Sequence, residues 1–233
     1  MLQGKVVVVT GSGQGIGKHA AKTFAQEKAK VVVADFNVDL AKKTAAEIGE
    51  VSEAIAVHVD VRSGDSVKAM VDQVVNRFGQ IDVMMNNAAI VPHFAWNIPR
   101  WPLIADMPLE FWDRVVHTNL YGTFFGTKHV IPHMAKRKSG HIINLYGGGG
   151  LKPGGAATYM VTKDGIRTFT RYGRGRSARF EYLRGDLLTA RSNRHGNRAG
   201  RSAQALARSR DFGARLRALR ATADGPERQV LCS

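Results

Sequence analysis

The feature that most constrains the fold is a short apolar run followed at once by a glycine-rich turn. Residues 5–10 read KVVVVT, and residues 10–17 read TGSGQGIG. Four consecutive valines are typical of a strand that is buried on both faces of a sheet. A helical pattern over Ile16–Lys28 follows the glycines directly. This order of strand, turn and helix places backbone N–H groups at the helix start, where a phosphate group can bind.

The alternation of short apolar runs and longer helical patterns continues as far as residue 171. We predict strands over Lys5–Thr10, Val31–Asp35, Ala54–Asp60, Ile81–Asn86 and His141–Leu145. We predict helices over Ile16–Lys28, Val38–Glu50, Ser66–Phe78, Leu109–Ala135 (one or two helices, divided near Asn119) and Tyr159–Arg171. Such alternation needs crossover connections. The predicted fold is therefore α/β, a single domain with a Rossmann-like, doubly wound parallel sheet.

The segment Ile90–Met107 is rich in tryptophan and proline, and we predict a loop there. Two interpretations of this loop stay open. Trp96 and Trp101 either form the wall of an apolar substrate pocket or take part in the ordinary packing of an insertion.

The composition changes sharply after residue 171. Residues 1–171 carry a net charge of +6, whereas residues 172–233 hold 14 Arg and no Lys and carry a net charge of +9. Nothing in this tail resembles a sixth strand, and Leu206–Ala221 is its one candidate helix. We predict a folded domain over 1–171 and an atypical tail over 172–233. The tail is either disordered or an out-of-frame reading of a GC-rich gene.

The bulk composition bounds the class of protein. A net charge of +15 over 233 residues would by itself suggest nucleic acid or an anionic surface as a partner, but the tail arginines have no regular spacing. Cys232 is the single cysteine, so no internal disulfide is expected. No window approaches the roughly 18–20 apolar residues of a membrane span. We expect a soluble, cytoplasmic protein that does not bind a membrane.

An acidic residue favours one nicotinamide dinucleotide over the other. Asp35 ends the second predicted strand, where a carboxylate accepts hydrogen bonds from the adenosine ribose of NAD. The same carboxylate would repel the additional phosphate of NADP. Phe36 follows in place of a basic residue, and Gln14 adds no charge to the glycine loop. These positions predict a preference for NAD.

A tyrosine and a lysine four residues apart suggest acid/base chemistry. Tyr159 and Lys163 lie on one face of a predicted helix. Free tyrosine has a pKa of about 10 and is a poor base near neutral pH. A neighbouring ammonium group favours the phenolate and lowers that pKa.

Taken together, these motifs are similar to those of the short-chain dehydrogenase/reductase family, in its compact NAD(P)(H)-dependent form. The resemblance covers about Leu2–Arg171. It rests on the ordered set Thr10–Gly17, Asp60-Val61, Asn86–Ala89 (with Ala89 in place of a glycine), Asn119 and Tyr159-x-x-x-Lys163.

The resemblance implies a function and a set of site residues. The implied reaction is the NAD-dependent interconversion of a secondary alcohol and a ketone by hydride transfer. Tyr159 would be the acid/base, Lys163 would hold the nicotinamide ribose, and Asn119 would kink a helix and hold a water. No metal is implied. The implied cofactor-binding residues are Gly11, Ser12, Gln14, Gly15, Ile16, Gly17, Asp35, Phe36, Asp60, Val61, Asn87, Ala88, Ala89, Tyr159 and Lys163.

Two departures from the family pattern keep an alternative function open. The family carries a serine after its fifth strand, but this chain reads Asn144-Leu145-Tyr146-Gly147. Tyr146 either replaces the missing hydroxyl donor or fills the pocket. The family's sixth strand and its Pro-Gly turn are also not recognisable after Arg171, which would leave an exposed sheet edge. The alternative is a catalytically impaired protein that binds NAD.

The resemblance also bears on partners. Members of this family act on small-molecule alcohols and ketones. They commonly form homodimers or homotetramers through the helices that correspond to those holding Asn119 and Tyr159 here. A basic module that binds nucleic acid through the tail is the third hypothesis, and the irregular spacing of the arginines weighs against it.

Overall fold

The computed structural model describes residues 2–90, 102–147, 157–173 and 179–184. Trp96 and Trp101 of the predicted loop, and the predicted helix Leu206–Ala221, lie outside the described residues. The predictions made for them stay predictions.

One parallel sheet forms the centre of the described structure. Its strands, in chain order, are β1 Val6–Thr10, β2 Lys30–Asp35, β3 Ala54–His58, β4 Val83–Asn86, β5 His141–Tyr146 and β6 Arg179–Arg184. In space their order is β3-β2-β1-β4-β5-β6, and every pairing is parallel. The predicted doubly wound α/β fold is therefore confirmed.

Six α-helices accompany these strands in the described ranges. They are α1 Gly15–Gln26, α2 Val38–Gly49, α3 Gly64–Phe78, α4 Leu109–Val116, α5 Gly122–Lys136 and α6 Ala157–Tyr172. A short 3-10 helix over Ile104–Asp106 precedes α4. Over the same ranges, no helix combines the length and the apolar character that crossing a bilayer requires.

Helices cover both faces of the sheet, as the valine run of β1 predicts. Val7 and Val9 pack in one apolar cluster with residues of α1 and α2. Val6 and Val8 pack in a second cluster with residues of α3 and α5. Successive side chains of a strand point to opposite faces. Because helices cover both faces, all four valines are buried.

Local signals set several helix ends. The Asn37 side chain caps α2 by accepting hydrogen bonds from the N–H groups of Asp39 and Leu40, both at 3.1 Å. The Ser63 hydroxyl caps α3 by accepting a bond from Ser66 N–H at 3.2 Å. Gly79 ends α3 with a φ of 76°, a left-handed conformation that favours glycine.

The division predicted near Asn119 is confirmed. A π turn over His117–Tyr121 separates α4 from α5, and Asn119 lies at its centre. Such turns widen the helix locally and are frequent at functional sites.

The prediction that the chain has no sixth strand is wrong. Strand β6 pairs with β5 from His141 opposite Arg179 to Tyr146 opposite Arg184. Strand pairing is made by backbone groups, so it does not need the apolar run that we looked for in the sequence. The β5 edge is consequently paired along its length, and β6 is the outer strand on this side of the sheet in the described residues.

The strand order places a cleft at one end of the sheet. Strands β2 and β3 lie on one side of β1, whereas β4, β5 and β6 lie on the other. After β3 the chain crosses to the other side of β1 and forms β4 there. The direction of winding therefore reverses at the neighbouring strands β1 and β4. In such sheets ligands bind outside the carboxyl ends of the strands at that point.

Candidate active site

The glycine loop at the end of β1 leads directly into α1. Gly11 and Gly15 have φ values of 63° and 58°, which other residues rarely adopt. Gln14 precedes the helix without a side-chain capping bond, and the first turn of α1 has no acidic residue. The positive end of the helix dipole is therefore left available to an anionic ligand.

Side chains from two neighbouring elements brace this loop. The Asp35 carboxylate accepts hydrogen bonds from Gly13 N–H at 2.8 Å and from Asn37 N–H at 2.9 Å. The Thr44 hydroxyl donates to Gly13 O at 2.9 Å. Ser12 is fully buried and donates its hydroxyl proton to Val9 O at 2.6 Å. The Ser12 side chain thus points into the fold and does not line the cleft.

The segment after β4 is tied to the same loop. The Asn87 amide donates to the carbonyl groups of Thr10 and Gly11 at 2.8 and 3.0 Å. The Thr10 hydroxyl accepts bonds from the N–H groups of Asn87 and Ala88, both at 3.1 Å. These bonds hold the ends of β1 and β4 together on the floor of the cleft.

A second polar network fixes α6 against the sheet. The Asn86 amide donates to Asn144 Oδ1 at 2.8 Å. The Asn144 amide donates in turn to the Thr170 hydroxyl at 2.9 Å. Asn86 thereby joins β4 to β5, and Asn144 joins β5 to the helix that carries Tyr159 and Lys163.

Asn119 is fully buried between the end of the β4 segment and α6. Its Oδ1 accepts a hydrogen bond from Ile90 N–H at 2.9 Å. Its amide donates to Ile90 O and to the Thr162 hydroxyl, both at 3.2 Å. Asn119 therefore holds α6 through Thr162, the residue that directly precedes Lys163.

Tyr159 and Lys163 face the cleft from α6. The Lys163 side chain is 3% exposed, and its Nζ donates to Leu145 O at 3.0 Å. The same nitrogen lies 5.5 Å from the centroid of the Tyr159 ring. Burial lowers the pKa of the Lys163 ammonium to about 8, which still leaves it charged at neutral pH.

These groups surround one cleft of about 680 Å³. Of the predicted site residues, the cleft brings together Gly11, Gln14, Gly15, Ile16, Gly17, Asp35, Phe36, Asp60, Val61, Asn87, Ala88, Ala89, Tyr159 and Lys163. The glycine loop and the Tyr159–Lys163 pair thus belong to the same cleft. Tyr146 ends β5 and is half-buried, but it is not among the described residues that line this cleft.

The cleft also contains residues that the sequence analysis missed. They are Val59, Arg62, Ile90, Arg114, Thr118 and Leu145. Some of them carried a positional signal. Arg62 directly follows the Asp60-Val61 pair, and Arg114 and Thr118 lie within one and a half turns before Asn119. The others contribute backbone or apolar surface, which no motif marks.

The residues fit a dinucleotide. A Cβ on Gly17 would overlap Gly11 O, whereas a Cβ on Gly15 would meet nothing within 4 Å and would stand in the cleft. The glycines therefore keep the loop tight on one side and open on the other, where a pyrophosphate needs close approach to the backbone. The fold and the cleft define an α/β protein of the dinucleotide-binding class.

Comparison with known proteins narrows this class. The family model described as short chain dehydrogenase matches residues 5–180. The chain belongs to the short-chain dehydrogenase/reductase family.

A curated relative agrees with this assignment. Meso-2,3-butanediol dehydrogenase of Serratia marcescens is 36% identical over 168 residues, which are 72% of this chain and 63% of that protein. The chain thus spans slightly less than two thirds of the length of this curated relative.

Two solved structures show the fold with a nicotinamide cofactor. A 3-ketoacyl-(acyl-carrier-protein) reductase from Brucella melitensis, complexed with NADH, is 30% identical with a TM-score of 0.70, covering 79% of this chain and 76% of that one. A metagenomic short-chain oxidoreductase in complex with NADP is 27% identical with a TM-score of 0.70, covering 78% and 82%.

Proposed function

We propose that this chain is an NAD-dependent oxidoreductase that interconverts a secondary alcohol and a ketone by hydride transfer. One observation carries the proposal: the buried ammonium of Lys163 lies beside the Tyr159 ring in the cleft that the glycine loop also lines. The substrate class follows from the chemistry of that pair and from family membership.

The proposed mechanism assigns the proton transfer to Tyr159. Bound NAD supplies the hydride acceptor. As the hydride leaves the carbinol carbon of the alcohol, the Tyr159 phenolate takes the hydroxyl proton, so that a ketone and a neutral tyrosine result. In the reverse direction Tyr159 returns the proton to the carbonyl oxygen. General acid/base catalysis of this kind contributes about 10²–10⁴-fold to the rate.

Lys163 and Asn119 support that transfer in the proposal. The positive charge of Lys163 would stabilise the Tyr159 phenolate, and its N–H groups would hold the nicotinamide ribose. Asn119 would hold a water through which the proton continues to solvent. The π turn around Asn119 supports this role, because such turns are frequent at functional sites.

A preference for NAD over NADP is part of the proposal. The Asp35 carboxylate lies at the end of β2 beside the glycine loop, where it would repel a phosphate on the adenosine ribose. Titration with both dinucleotides tests this point. We expect tighter binding of NAD by the chain itself and a weaker preference in Asp35→Ser. Tighter binding of NADP by the unchanged chain would overturn the preference.

One observation favours the alternative of a catalytically impaired protein that binds NAD. Tyr146 lies outside the set of described residues that line the cleft, so it is poorly placed to replace the serine hydroxyl. Removing one donor of this kind from an oxyanion hole costs about 10²–10³ in rate. The two candidates make different predictions for Tyr146→Ser.

The discriminating experiment measures NADH formation from a panel of secondary alcohols. The proposed enzyme turns over at least one of them without any substitution. The impaired protein binds NAD but forms NADH only in Tyr146→Ser, or in neither form. Absence of NAD binding would contradict both candidates.

The remaining parts of the proposal concern setting and partners. We propose a cytoplasmic location, which the single Cys232 supports. We also propose a homo-oligomer and a small-molecule substrate.

The hypothesis of nucleic-acid binding concerns the tail, most of which lies outside the described residues. Salt-sensitive binding that is lost on deletion of 172–233 would support it.

A further inference from the structure

A half-buried methionine contacts the start of the helix that carries Tyr159. Met107 lies between the short 3-10 helix over Ile104–Asp106 and α4. The Thr158 hydroxyl donates a hydrogen bond to Met107 Sδ at 2.7 Å. Thr158 is fully buried and directly precedes Tyr159 in the first turn of α6. Neither Met107 nor Thr158 is among the described residues that line the cleft.

This contact falls on the part of α6 that the helix itself holds least. The N–H groups in the first turn of a helix have no acceptor within that helix, so the position of the turn depends more on side-chain contacts. A buried hydroxyl without an acceptor is costly, and the Met107 sulfur, although a weak acceptor, satisfies Thr158. The bond therefore holds the first turn of α6 against the segment that precedes α4.

The backbone on both sides of Met107 is bonded to neighbouring structure. Met107 N–H donates to Ile104 O at 3.4 Å and closes the 3-10 helix. Pro108 follows, and its ring fixes the φ angle at that position. The Pro108 carbonyl accepts a bond from Trp112 N–H at 3.1 Å in the first turn of α4. Met107 is thus anchored between two helical elements.

A second set of bonds holds α6 one turn further along. The Thr162 hydroxyl donates to Tyr159 O at 2.7 Å and accepts a bond from the Asn119 amide at 3.2 Å. Asn119 belongs to the π turn that directly follows α4. Bonds from the segments before and after α4 therefore flank Tyr159 along α6.

We propose that Met107 is a positioning residue for the hydride-transfer reaction, because it holds Thr158 and thereby keeps the Tyr159 hydroxyl aimed at the substrate oxygen. The inference rests on the proposed function. Proton transfer requires the acid/base group within hydrogen-bond reach of the reacting oxygen, and a misplacement of about 1 Å can cost about 10²-fold in rate. A first turn that is free to shift therefore lowers kcat, whereas cofactor binding at the glycine loop is unaffected.

The test measures steady-state oxidation of a secondary alcohol that the unchanged chain turns over. Met107→Leu removes the sulfur at nearly constant volume, and Thr158→Val replaces the hydroxyl with a methyl group. We expect each substitution to lower kcat about tenfold, the effect of one lost hydrogen bond, with the KM for NAD unchanged. Thr158→Ser keeps the hydroxyl and should retain most of the activity.

A double-mutant cycle isolates the contact between the two side chains. If Met107 acts through Thr158, combining Met107→Leu with Thr158→Val should lower kcat no more than either single substitution does. The solvent deuterium isotope effect on kcat should also rise in these variants, because a misplaced Tyr159 slows proton transfer. A smaller fraction of folded protein would lower the apparent kcat but would leave this isotope effect unchanged.

Met70 provides a matched control. It is 1% exposed and packs in the apolar cluster that contains residues of α3, and it is not among the described residues that line the cleft. Met70→Leu makes the same chemical exchange at a buried position. It should leave both kcat and the isotope effect unchanged.

Hydrogen exchange adds a measurement that does not need turnover. Backbone amides over residues 158–163 should exchange faster in Met107→Leu than in the unchanged chain, and Met70→Leu should not alter them. If the unchanged chain forms no NADH, the proposed function fails, whereas faster exchange in this turn still supports the hold of Met107 on α6. Unaltered kcat in both single variants, additive losses in the cycle or unaltered exchange in Met107→Leu would overturn the inference.

Discussion

Lys163 places a positive charge where burial opposes it. The side chain is 3% exposed, and burial lowers the pKa of its ammonium to about 8. Because the pKa of this cation is lowered, the charge is present below pH 8 and is lost as the pH rises through that value. A residue kept in this state pays a desolvation cost that an ordinary core residue would not. The charge of Lys163 therefore makes the site sensitive to pH near 8.

We predict that affinity for NAD falls as the pH rises through about 8. In Lys163→Met the affinity should be about 10–100-fold lower near neutral pH, since bonds to a charged donor are lost, and the pH dependence should vanish. Fluorescence titration with NADH over a pH series measures both effects. Lys128→Met is the control, because Lys128 is exposed and also lies near an aromatic ring, 5.8 Å from Phe124. An unaltered pH profile in Lys163→Met would contradict the assignment.

Sequence motifs located most of the candidate site, residue by residue. Fourteen of the fifteen residues predicted to bind the cofactor line one cleft, and Ser12 is the exception. Motifs of this kind mark positions where the backbone must come close to a ligand. Arg62 directly follows the Asp60-Val61 pair, but its contact with Phe36 joins two loops that are 26 residues apart, and the sequence alone does not show such a contact. Asp35 does more than predicted, since it also holds the glycine loop through Gly13 N–H.

The turn between β1 and α1 depends on the absence of a side chain at Gly17. An added Cβ there would overlap Gly11 O, so the loop would have to shift. We predict that Gly17→Ala lowers the free energy of unfolding by about 1–3 kcal/mol, as overpacking commonly does, and abolishes detectable NAD binding. Denaturant unfolding and NADH titration check the two parts.

Gly49 at the end of α2 is the matched control for this substitution. A Cβ there would meet nothing within 4 Å. Gly49→Ala should leave NAD binding intact and either preserve or slightly raise stability, because alanine is favoured in helices by up to about 1 kcal/mol. Equal losses of binding in both variants would show that the loop geometry is not the cause.

The secondary structure elements were predictable where their periodicity was strong. All five predicted strands and all five predicted helical regions exist, with ends that differ by a few residues. The segment RFEYLR of β6 was missed because it lacks the apolar run typical of an inner strand. Its pairing partner β5 precedes it by more than 30 residues, and only tertiary structure brings the two together.

One apolar surface of the molecule lacks a described partner element. Phe124 on α5 is 41% exposed, Val161 on α6 is 51% exposed, and the rings of Phe124 and Phe169 lie 6.3 Å apart. The Phe124–Phe169 contact joins α5 to α6 at this surface. Exposed apolar surface shared by neighbouring helices is typical of association sites, and it supports the proposed homo-oligomer.

We predict that Phe124→Glu dissociates this oligomer, because a charge at the centre of an apolar contact is costly to bury. Analytical ultracentrifugation measures the change in mass. Val51→Glu is the control, since Val51 is exposed but lies beyond the end of α2, far from α5 in the sheet order. A single monomeric species in the unchanged chain would contradict the proposal.

The tail beyond residue 184 lies outside the described residues, so its origin stays a prediction. The change from mixed Lys and Arg to Arg alone supports an out-of-frame origin. Resequencing of the DNA around codons 168–176 tests it. A clean reading frame with no family-like alternative nearby would exclude that origin.

We propose that the cleft holds NAD and that Tyr159 transfers the proton of an alcohol. The direct measurement is NADH formation from secondary alcohols by the unchanged chain and by Tyr159→Phe, with NADH binding measured in parallel. Tyr172→Phe is the control, because Tyr172 ends the same helix and is exposed. We predict that Tyr159→Phe binds NADH normally but loses about 10²–10⁴-fold in kcat, while Tyr172→Phe is unaffected. Turnover that persists at the original rate in Tyr159→Phe would contradict the proposed role of Tyr159.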